Sequence, residues 1–214
     1  MDLKVNFSGR AIHFTDDEIA AAVEAMRNAD PLAQGKYQTV FEEKFASYQG
    51  VEQGSCFAVM NGCAALEMSA QLCNFKPGDE VVIPSHTFTA SAYPFIKHGA
   101  RLVWADIDPL ARVVTAETIE KAITSKTRAV VPVDLYGYVA DMPDIVDLCR
   151  QKGLICVEDA AQAIGAEIDG RKAGSFADMA IFSFHSHKNL TTMGEGGMFY
   201  VADEKLRKLV PMLR

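Results

Sequence analysis

The segment FSFHSHKNLTTMGEGGMFYV, residues 182–201, joins two apolar runs through a polar loop. The first run, MAIFSF at 179–184, is typical of a buried strand, and the second follows a glycine turn. Lys188 stands where the first strand leaves the core. A charge there must reach water, find a partner or lose its proton. Taken alone, Lys188 would be a surface lysine, so the rest of the chain has to decide.

Seven short β-type runs alternate with helix-like segments along the chain. The runs are CFAVM, EVVIP, RLVWAD, AVVPVD, LICVED, MAIFSF and GMFYVA, and the helix-like segments lie at 62–74, 89–98, 115–124 and 141–152. This alternation predicts an α/β fold of three layers, with a mostly parallel, seven-stranded sheet between helices. In such sheets ligands bind beyond the carboxyl ends of the strands.

The two ends of the chain give further expectations. Thr15 and Glu18 have capping-box spacing, which predicts a helix from there to about Asn28, and the apolar spacing over 37–48 predicts a second helix. We expect an N-terminal arm and helix over 1–36 and one large domain over 37–214. The segment EKLRKLVPMLR predicts a charged helix without a terminating signal. We therefore expect a chain cut before a smaller C-terminal domain.

Composition and charge narrow the class of protein. Apolar residues make up 49% of the 214 residues, charged residues 23%, and the net charge is −7. Scattered Lys and Arg argue against nucleic acid as a partner. Five cysteines without a CxxC pair predict reduced, mostly buried thiols. No signal peptide or run of about 20 apolar residues is evident, so we expect a cytoplasmic protein with no membrane partner.

Polar residues follow the strands at the edge where a ligand is expected. A lysine at the mouth of an apolar site can act as an amine nucleophile toward a carbonyl, for which pyridoxal 5'-phosphate is the usual cofactor. That cofactor needs a lysine, a carboxylate for its ring nitrogen, a flat partner and an anion site. The candidates are Lys188 for the aldehyde, Asp159 for the nitrogen, Gln162 for the ring hydroxyl, Phe88 for the ring face, and Gly62, Cys63, Ala64 and Ser183 for the phosphate.

Each candidate also has a plain structural interpretation. Asp159 alone would be a helix cap, and Phe88 alone a core residue. Small residues at the start of a helix are common, so the turn at Asn61–Ala65 is a weak phosphate signal. His185 and His187 lack a third ligand, and we expect no metal. The joint placement of all the candidate residues at one predicted edge of the sheet favours the functional interpretation.

Five motifs together resemble the DegT/StrS-type family of pyridoxal-phosphate-dependent sugar aminotransferases. They are SFHSHKNLTTMGEGG, VEDAAQAIGA, NGCAALEMSA, GDEVVIPSHTFTASA and PVDLYGYVADM, and the likeness covers nearly the whole chain. The resemblance implies the large domain of a fold-type I enzyme in which Lys188 carries the Schiff base. It implies the same roles for the other site residues, and a homodimer with sites between subunits. The implied substrates are an amino donor such as glutamate and a nucleotide-linked keto sugar.

One residue departs from the family pattern, and two rival functions remain. The family usually has Thr or Ser where Cys63 stands, which replaces a good hydroxyl donor by a weak thiol. A sugar dehydratase using the same cofactor would have histidine in place of Lys188. A non-catalytic binding or regulatory protein with this fold would have lost its cofactor residues. This sequence retains the main cofactor residues, and it does not identify the sugar or the amino donor.

Overall fold

The computed structural model describes residues 13–31 and 33–214. Within them seven strands form one sheet, and two very short strands form a separate hairpin. The strands are β1 (Cys56–Val59), β2 (Glu80–Pro84), β3 (Arg101–Ala105), β4 (Thr127–Val130), β5 (Ile155–Asp159), β6 (Glu167–Ile168), β7 (Arg171–Lys172), β8 (Met179–Ser183) and β9 (Gly197–Val201). The hairpin of β6 and β7 was not predicted, because two residues are too few to show a period.

The main sheet confirms the predicted topology. Its order is β1-β9-β8-β5-β4-β2-β3. Only β9 runs against the others, pairing antiparallel with β1 on one side and β8 on the other. In that register Phe182 lies opposite Met198, and Ser183 lies opposite Gly197. The loop that carries Lys188 therefore joins two neighbouring antiparallel strands, and it leaves the sheet at the carboxyl end of β8.

Eight α-helices and two 3-10 turns accompany the strands in the described ranges. The helices are α1 (Asp16–Asn28), α2 (Lys36–Gln49), α3 (Gly62–Cys73), α4 (Tyr93–Lys97), α5 (Ala116–Ala122), α6 (Met142–Lys152), α7 (Glu204–Arg207) and α8 (Val210–Leu213), and the turns are Thr89–Ser91 and Leu135–Gly137. The capping box before α1 is confirmed, because the amide of Thr15 donates to Glu18 at 2.7 Å and the amide of Glu18 donates back at 3.3 Å.

Two of the predicted helices differ from the structure, and proline is the physical reason. The predicted segment 89–98 is divided into a 3-10 turn and α4, with Pro94 in the first turn of α4. The single charged helix expected over 204–214 is wrong. It is two separate turns, α7 and α8, with Pro211 at the start of the second. Proline has no amide proton, so it begins helices more readily than it continues them.

Alternate residues along the strands are buried on opposite faces of the sheet. Val81 and Ile83 pack in a cluster with Leu66 of α3 and Phe95 of α4. Val82, between them, belongs to a cluster with α5 and α6 on the other face. A third cluster packs α2 against β8 and β9. The three predicted layers are therefore confirmed, and both faces of the central strands are covered.

The predicted division at residue 36 remains a prediction. Within the N-terminal arm and helix proposed over 1–36, residues 1–12 and residue 32 lie outside the described residues, and α1 has no buried residue. Over 13–31 and 33–214, no helix is both long and apolar enough to span a bilayer. Four cysteines are buried, Cys63 is exposed, and all five are free, as the sequence predicted.

Candidate active site

A cavity of about 450 Å³ lies at the carboxyl edge of the sheet, between the ends of β5 and β8 and the start of α3. Its size is that of a small-molecule site. The residues predicted from the sequence converge here with one exception, Ala64, which does not line the cavity. Those that do line it are Gly62, Cys63, Phe88, Asp159, Gln162, Ser183 and Lys188.

Asp159 ends β5 and is almost entirely buried, with 5% of its surface exposed. One carboxylate oxygen accepts a hydrogen bond from the Ser91 hydroxyl at 2.7 Å, and the other accepts from the Ala161 amide at 3.2 Å. Burial raises the pKa of Asp159, while the Ser91 hydroxyl, the Ala161 amide and the charge of Lys188 lower it. A turn follows rather than a helix, so the interpretation of Asp159 as a helix cap is wrong.

Lys188 lies half-buried in the loop between β8 and β9, and its side chain lines the cavity. Burial lowers the pKa of its ammonium group, which the neighbouring Asp159 partly offsets. Within the described parts of the chain, Lys188 makes no salt bridge. Its amine is therefore easier to deprotonate than that of a surface lysine, which is the condition for a nucleophile.

The start of α3 forms the opposite wall of the cavity. The Asn61 side chain caps the helix by accepting from the Ala64 amide at 2.9 Å. The Ala64 amide is thus already used, and the phosphate prediction rests on the amides of Gly62 and Cys63, the first two of the helix. With the helix dipole, these amides make an anion site. Cys63 is exposed there as a residue, but its thiol is partly buried. This partial burial, followed by the charges of Asp159 and Glu195, raises the pKa of the thiol.

The strand backbones approach α3 so closely that side chains would not fit. A Cβ on Gly197 would lie 2.7 Å from the Asn61 carbonyl carbon and 2.8 Å from the Gly62 nitrogen. A Cβ on Gly62 would lie 3.3 Å from the Ser183 Cβ. Glycine at both positions lets the helix start sit directly on β8 and β9. Ser183 therefore lies beside the start of the helix, and its hydroxyl accepts from the His185 amide at 3.4 Å.

Gln162 and Phe88 occupy the rim. The Gln162 side-chain oxygen accepts from the Tyr136 amide at 3.1 Å, so its NH₂ group is the part left to bind a ligand. Tyr136 has a left-handed backbone (φ 57°), which is unusual for an aromatic residue. Phe88 is 67% exposed, so the interpretation as a core residue is wrong, and its ring is available to a flat ligand.

His185 and His187 interact with each other and with the loop. Their rings lie 4.9 Å apart, the His187 amide donates to His185 Nδ1 at 3.1 Å, and His185 Nε2 lies 3.5 Å from a Glu195 carboxylate oxygen. In the described residues, no three His, Cys, Asp or Glu side chains are grouped to hold a metal. The two histidines shape the loop around Lys188.

Three residues of the site were missed by sequence reasoning. Ser91 lies in the predicted helical segment 89–98 with no polar pattern to mark it, and it is 68 residues from its partner Asp159. Gly197 and Glu195, which lines the cavity, were missed because their sequence pattern predicts only a turn. The glycine-rich GEGG was a usable signal, because close backbone approach favours glycine. Nothing local identified Ser91.

The sheet order and the edge cavity place this fold among the aminotransferases. An aminotransferase from Streptoalloteichus hindustanus superposes with a TM-score of 0.88 at 35% identity, over 92% of this chain and 54% of that one. A putative sugar aminotransferase from Streptococcus pneumoniae, described in its PLP form, superposes with a TM-score of 0.83 at 27% identity, over 96% and 57% of the two chains. It is also described in a PMP form.

The chain belongs to the DegT/DnrJ/EryC1/StrS aminotransferase family, whose model matches residues 14–214. It is similar to a UDP-N-acetyl-3-dehydro-alpha-D-glucosamine 3-aminotransferase from Acidithiobacillus ferrooxidans, at 39% identity over 92% of this chain and 53% of that protein. The chain spans about half the length of the curated relatives it matches. The resemblance seen in the motifs is therefore confirmed at the level of the family.

Proposed function

We propose that this chain supplies the cofactor-binding part of a pyridoxal-phosphate-dependent aminotransferase. The enzyme moves an amino group from an amino acid such as glutamate to a keto sugar linked to a nucleotide. The observation that carries the proposal is the half-buried Lys188 in one cavity with the buried Asp159 and the start of α3. The name of the Acidithiobacillus relative, an aminotransferase for a UDP-linked keto sugar, supports the substrate class.

The residues present fit pyridoxal phosphate. The leading amides of Gly62 and Cys63, with the Ser183 hydroxyl, match a phosphate. The Gln162 NH₂ group is free to donate to the ring hydroxyl, and the exposed face of Phe88 suits an aromatic ring. The thiol of Cys63 is a weaker donor than a hydroxyl, so the amides carry most of this contact.

Asp159 and Lys188 have different proposed roles in proton transfer, one at the ring nitrogen and the other at the substrate carbon. When bound, the cofactor supplies an electron sink for the negative charge left when a proton leaves the substrate carbon. Asp159 would hold a proton at the ring nitrogen through a charge-assisted hydrogen bond, and its burial strengthens that bond. Lys188 would hold the cofactor through its aldehyde carbon, and its Nζ would accept the proton that leaves the substrate carbon and later return it. Its lowered pKa suits it to accept a proton near neutral pH.

The rival functions lack support from the site. A dehydratase of this type would have a histidine where Lys188 stands, and a protein that had lost catalysis would have lost Asp159 or Lys188. Neither is the case. The homodimer implied by the resemblance is a further proposal, to be measured as the solution mass by light scattering. The absence of nucleic-acid and membrane partners and the cytoplasmic location remain predictions.

The test is covalent trapping of the cofactor. The purified protein is incubated with pyridoxal phosphate, reduced with borohydride and mapped by peptide mass spectrometry. We expect one adduct, at Lys188, and none in Lys188→Ala. Lys121→Ala, an exposed lysine on α5, is the matched control and should label as the wild type does. An adduct on another lysine would overturn the proposal, as would the same adduct yield in Lys188→Ala.

A further inference from the structure

Ser91 contacts the carboxylate on which the proposed chemistry depends. It ends the 3-10 turn that follows β2, and 2% of its surface is exposed. Its hydroxyl donates to one oxygen of Asp159 at 2.7 Å, across 68 residues of sequence. A serine in a helical turn commonly bonds to the backbone of its own turn. Ser91 bonds instead to another strand end, so its hydroxyl serves the site rather than its own helix.

The direction of the hydrogen bonds around Ser91 follows from counting protons. A carboxylate only accepts, so the single hydroxyl proton of Ser91 is committed to Asp159. The Thr87 hydroxyl lies 2.8 Å from the Ser91 oxygen. Because Ser91 has no second proton, Thr87 must donate to it. The result is a directed pair of hydroxyl bonds, from Thr87 to Ser91 and from Ser91 to Asp159, with both hydroxyl residues lining the cavity.

The two bonds to Asp159 fix its rotation. One oxygen is held by Ser91 and the other by the Ala161 amide, so the carboxylate plane cannot turn without losing one of them. Each oxygen still has a lone pair for a ligand in the cavity. Without Ser91, one buried oxygen would lack its protein donor, which favours either rotation or protonation.

We propose that Ser91 is a positioning residue that sets the rotation of the Asp159 carboxylate and stabilises its charged form, with Thr87 orienting Ser91. The inference rests on the proposed function, since it assigns Asp159 to the ring nitrogen. The other groups that face Asp159 are Lys188, whose charge also favours the anion, and Cys63 and Asp134, which lie close enough to interact with it.

The first measurement needs no cofactor. In protein labelled with ¹³C at aspartate carboxyls, the Asp159 signal is identified as the one missing from Asp159→Asn and is followed against pH. In Ser91→Ala we expect its midpoint to move to higher pH, because the bond from Ser91 favours the charged form. Thr87→Val should move it in the same direction by less. A midpoint unchanged in folded Ser91→Ala would overturn the inference.

The second measurement uses enzyme loaded with pyridoxal phosphate. Because a hydrogen bond to a charged group is stronger than one between neutral groups, Ser91→Ala should lower kcat by about tenfold with little change in KM. Ser91→Cys keeps the shape of the side chain and a weak donor, so its kcat should lie between those of the wild type and Ser91→Ala. It replaces Ser91→Ala if that variant does not fold. A residue that only supported the fold would lower thermal stability without moving the Asp159 midpoint or kcat.

The two hypotheses fail differently. If Asp159→Asn is fully active while Ser91→Ala still moves the midpoint, then the hydrogen bond is real and the proposed role of Asp159 is wrong. If Asp159→Asn is inactive while Ser91→Ala leaves both midpoint and kcat unchanged, then Asp159 acts as proposed and Ser91 has no part in it.

Discussion

Two residues of this cavity have pKa values that burial shifts in opposite directions. Lys188 and Asp159 are both partly or wholly buried, yet burial lowers the pKa of the first and raises that of the second. In each case burial disfavours the charged form. Groups shifted in this way are common at catalytic sites, since proton transfer near neutral pH requires them.

Asp159→Asn should separate cofactor binding from catalysis. An asparagine keeps the shape of the side chain and can keep the Ser91 contact, but it cannot hold a proton on the ring nitrogen. We expect transamination to fall by about 100-fold or more, the scale seen when a preorganised charge contact is removed. Borohydride trapping at Lys188 should persist. Single-turnover kinetics with glutamate measure the loss, and an unimpaired rate would mean that the carboxylate is only structural.

Cys63 should be the one cysteine that alkylates readily in the folded protein. It is exposed, whereas Cys56, Cys73, Cys149 and Cys156 are buried. Burial and nearby carboxylates raise its pKa, so its rate with iodoacetamide should keep rising to a higher pH than that of an unperturbed cysteine. Pyridoxal phosphate should slow the reaction by covering the thiol, and pyridoxal without phosphate is the matched control. Equal rates with and without cofactor would place the phosphate elsewhere.

Elements in this fold meet through close backbone contacts, of which the one at Gly197 leaves no room for a side chain. The start of α3 rests on β8 and β9 through Gly62 and Gly197. Because the helix start is also the proposed phosphate site, packing between elements and ligand binding depend on the same contact. The helix is fixed there by its Asn61 cap, which orients the first amides toward the cavity.

Gly197→Ala should disturb both packing and cofactor affinity. Its new methyl group would lie 2.7–2.8 Å from the backbone of Asn61, Gly62 and Phe182, so the helix start must move. Overpacking of this kind costs about 1–3 kcal/mol of stability. We expect cofactor affinity to weaken by about tenfold, which corresponds to 1.4 kcal/mol.

The matched control for that experiment is Gly194→Ala in the same loop, where no atom lies within 4 Å of the added methyl group. Fluorescence titration with pyridoxal phosphate and urea denaturation measure affinity and stability. If both variants bind the cofactor as the wild type does, then the close approach of β9 does not position the phosphate site.

At the scale of the whole molecule, a buried pair of carboxyl groups lies behind the active-site edge. Asp134 and Glu158 are fully buried. Glu158 accepts from the amides of Gly174 and Phe176, and one Asp134 oxygen accepts from the Ala140 amide at 2.8 Å. Among the described residues the other Asp134 oxygen has no hydrogen-bond partner, although the Glu158 carboxyl group is close enough to raise the pKa of Asp134. Burial, followed by the charge of Glu158, raises the pKa of Asp134 well above 3.8. Burial therefore favours the protonated form of Asp134, which is able to donate to Glu158.

This proton makes stability depend on pH. The pKa of Asp134 is higher in the folded than in the unfolded state, so its contribution is complete below the unfolded pKa and is lost as pH rises through the folded pKa. Asp134→Asn keeps a donor toward Glu158 but does not titrate. The free energy of unfolding of the wild type, minus that of this variant, should therefore decrease as pH rises.

Urea denaturation from about pH 4 to 9 measures that difference. Asp147→Asn, which removes an exposed ion pair on α6, is the control and should change stability by less than about 0.5 kcal/mol throughout. A difference for Asp134→Asn that stays constant, or increases with pH, would show that Asp134 is charged in the folded protein.

The sequence by itself determined the order of elements and the edge that carries the site. Strands and helices have local periods, and a parallel sheet places its chemistry at the strand ends, so Lys188 and Asp159 could be predicted from position. It also predicted the capping box, which lies within four residues. The sequence-based prediction of helices failed over 89–98 and 204–214, because in each segment a proline begins a new helical turn instead of continuing one helix.

Only the tertiary structure decided the partners of these residues. Ser91 and Asp159 are 68 residues apart, and Gly62 and Gly197, whose backbones approach each other closely, are 135 residues apart. Contacts at such separations depend on sheet order and register, which no local period encodes. The structure likewise decided that the Ala64 amide is taken by the helix cap and that Phe88 is exposed rather than in the core. Burial and hydrogen bonding, which set the chemistry of Asp159 and Lys188, arise only when distant segments pack together.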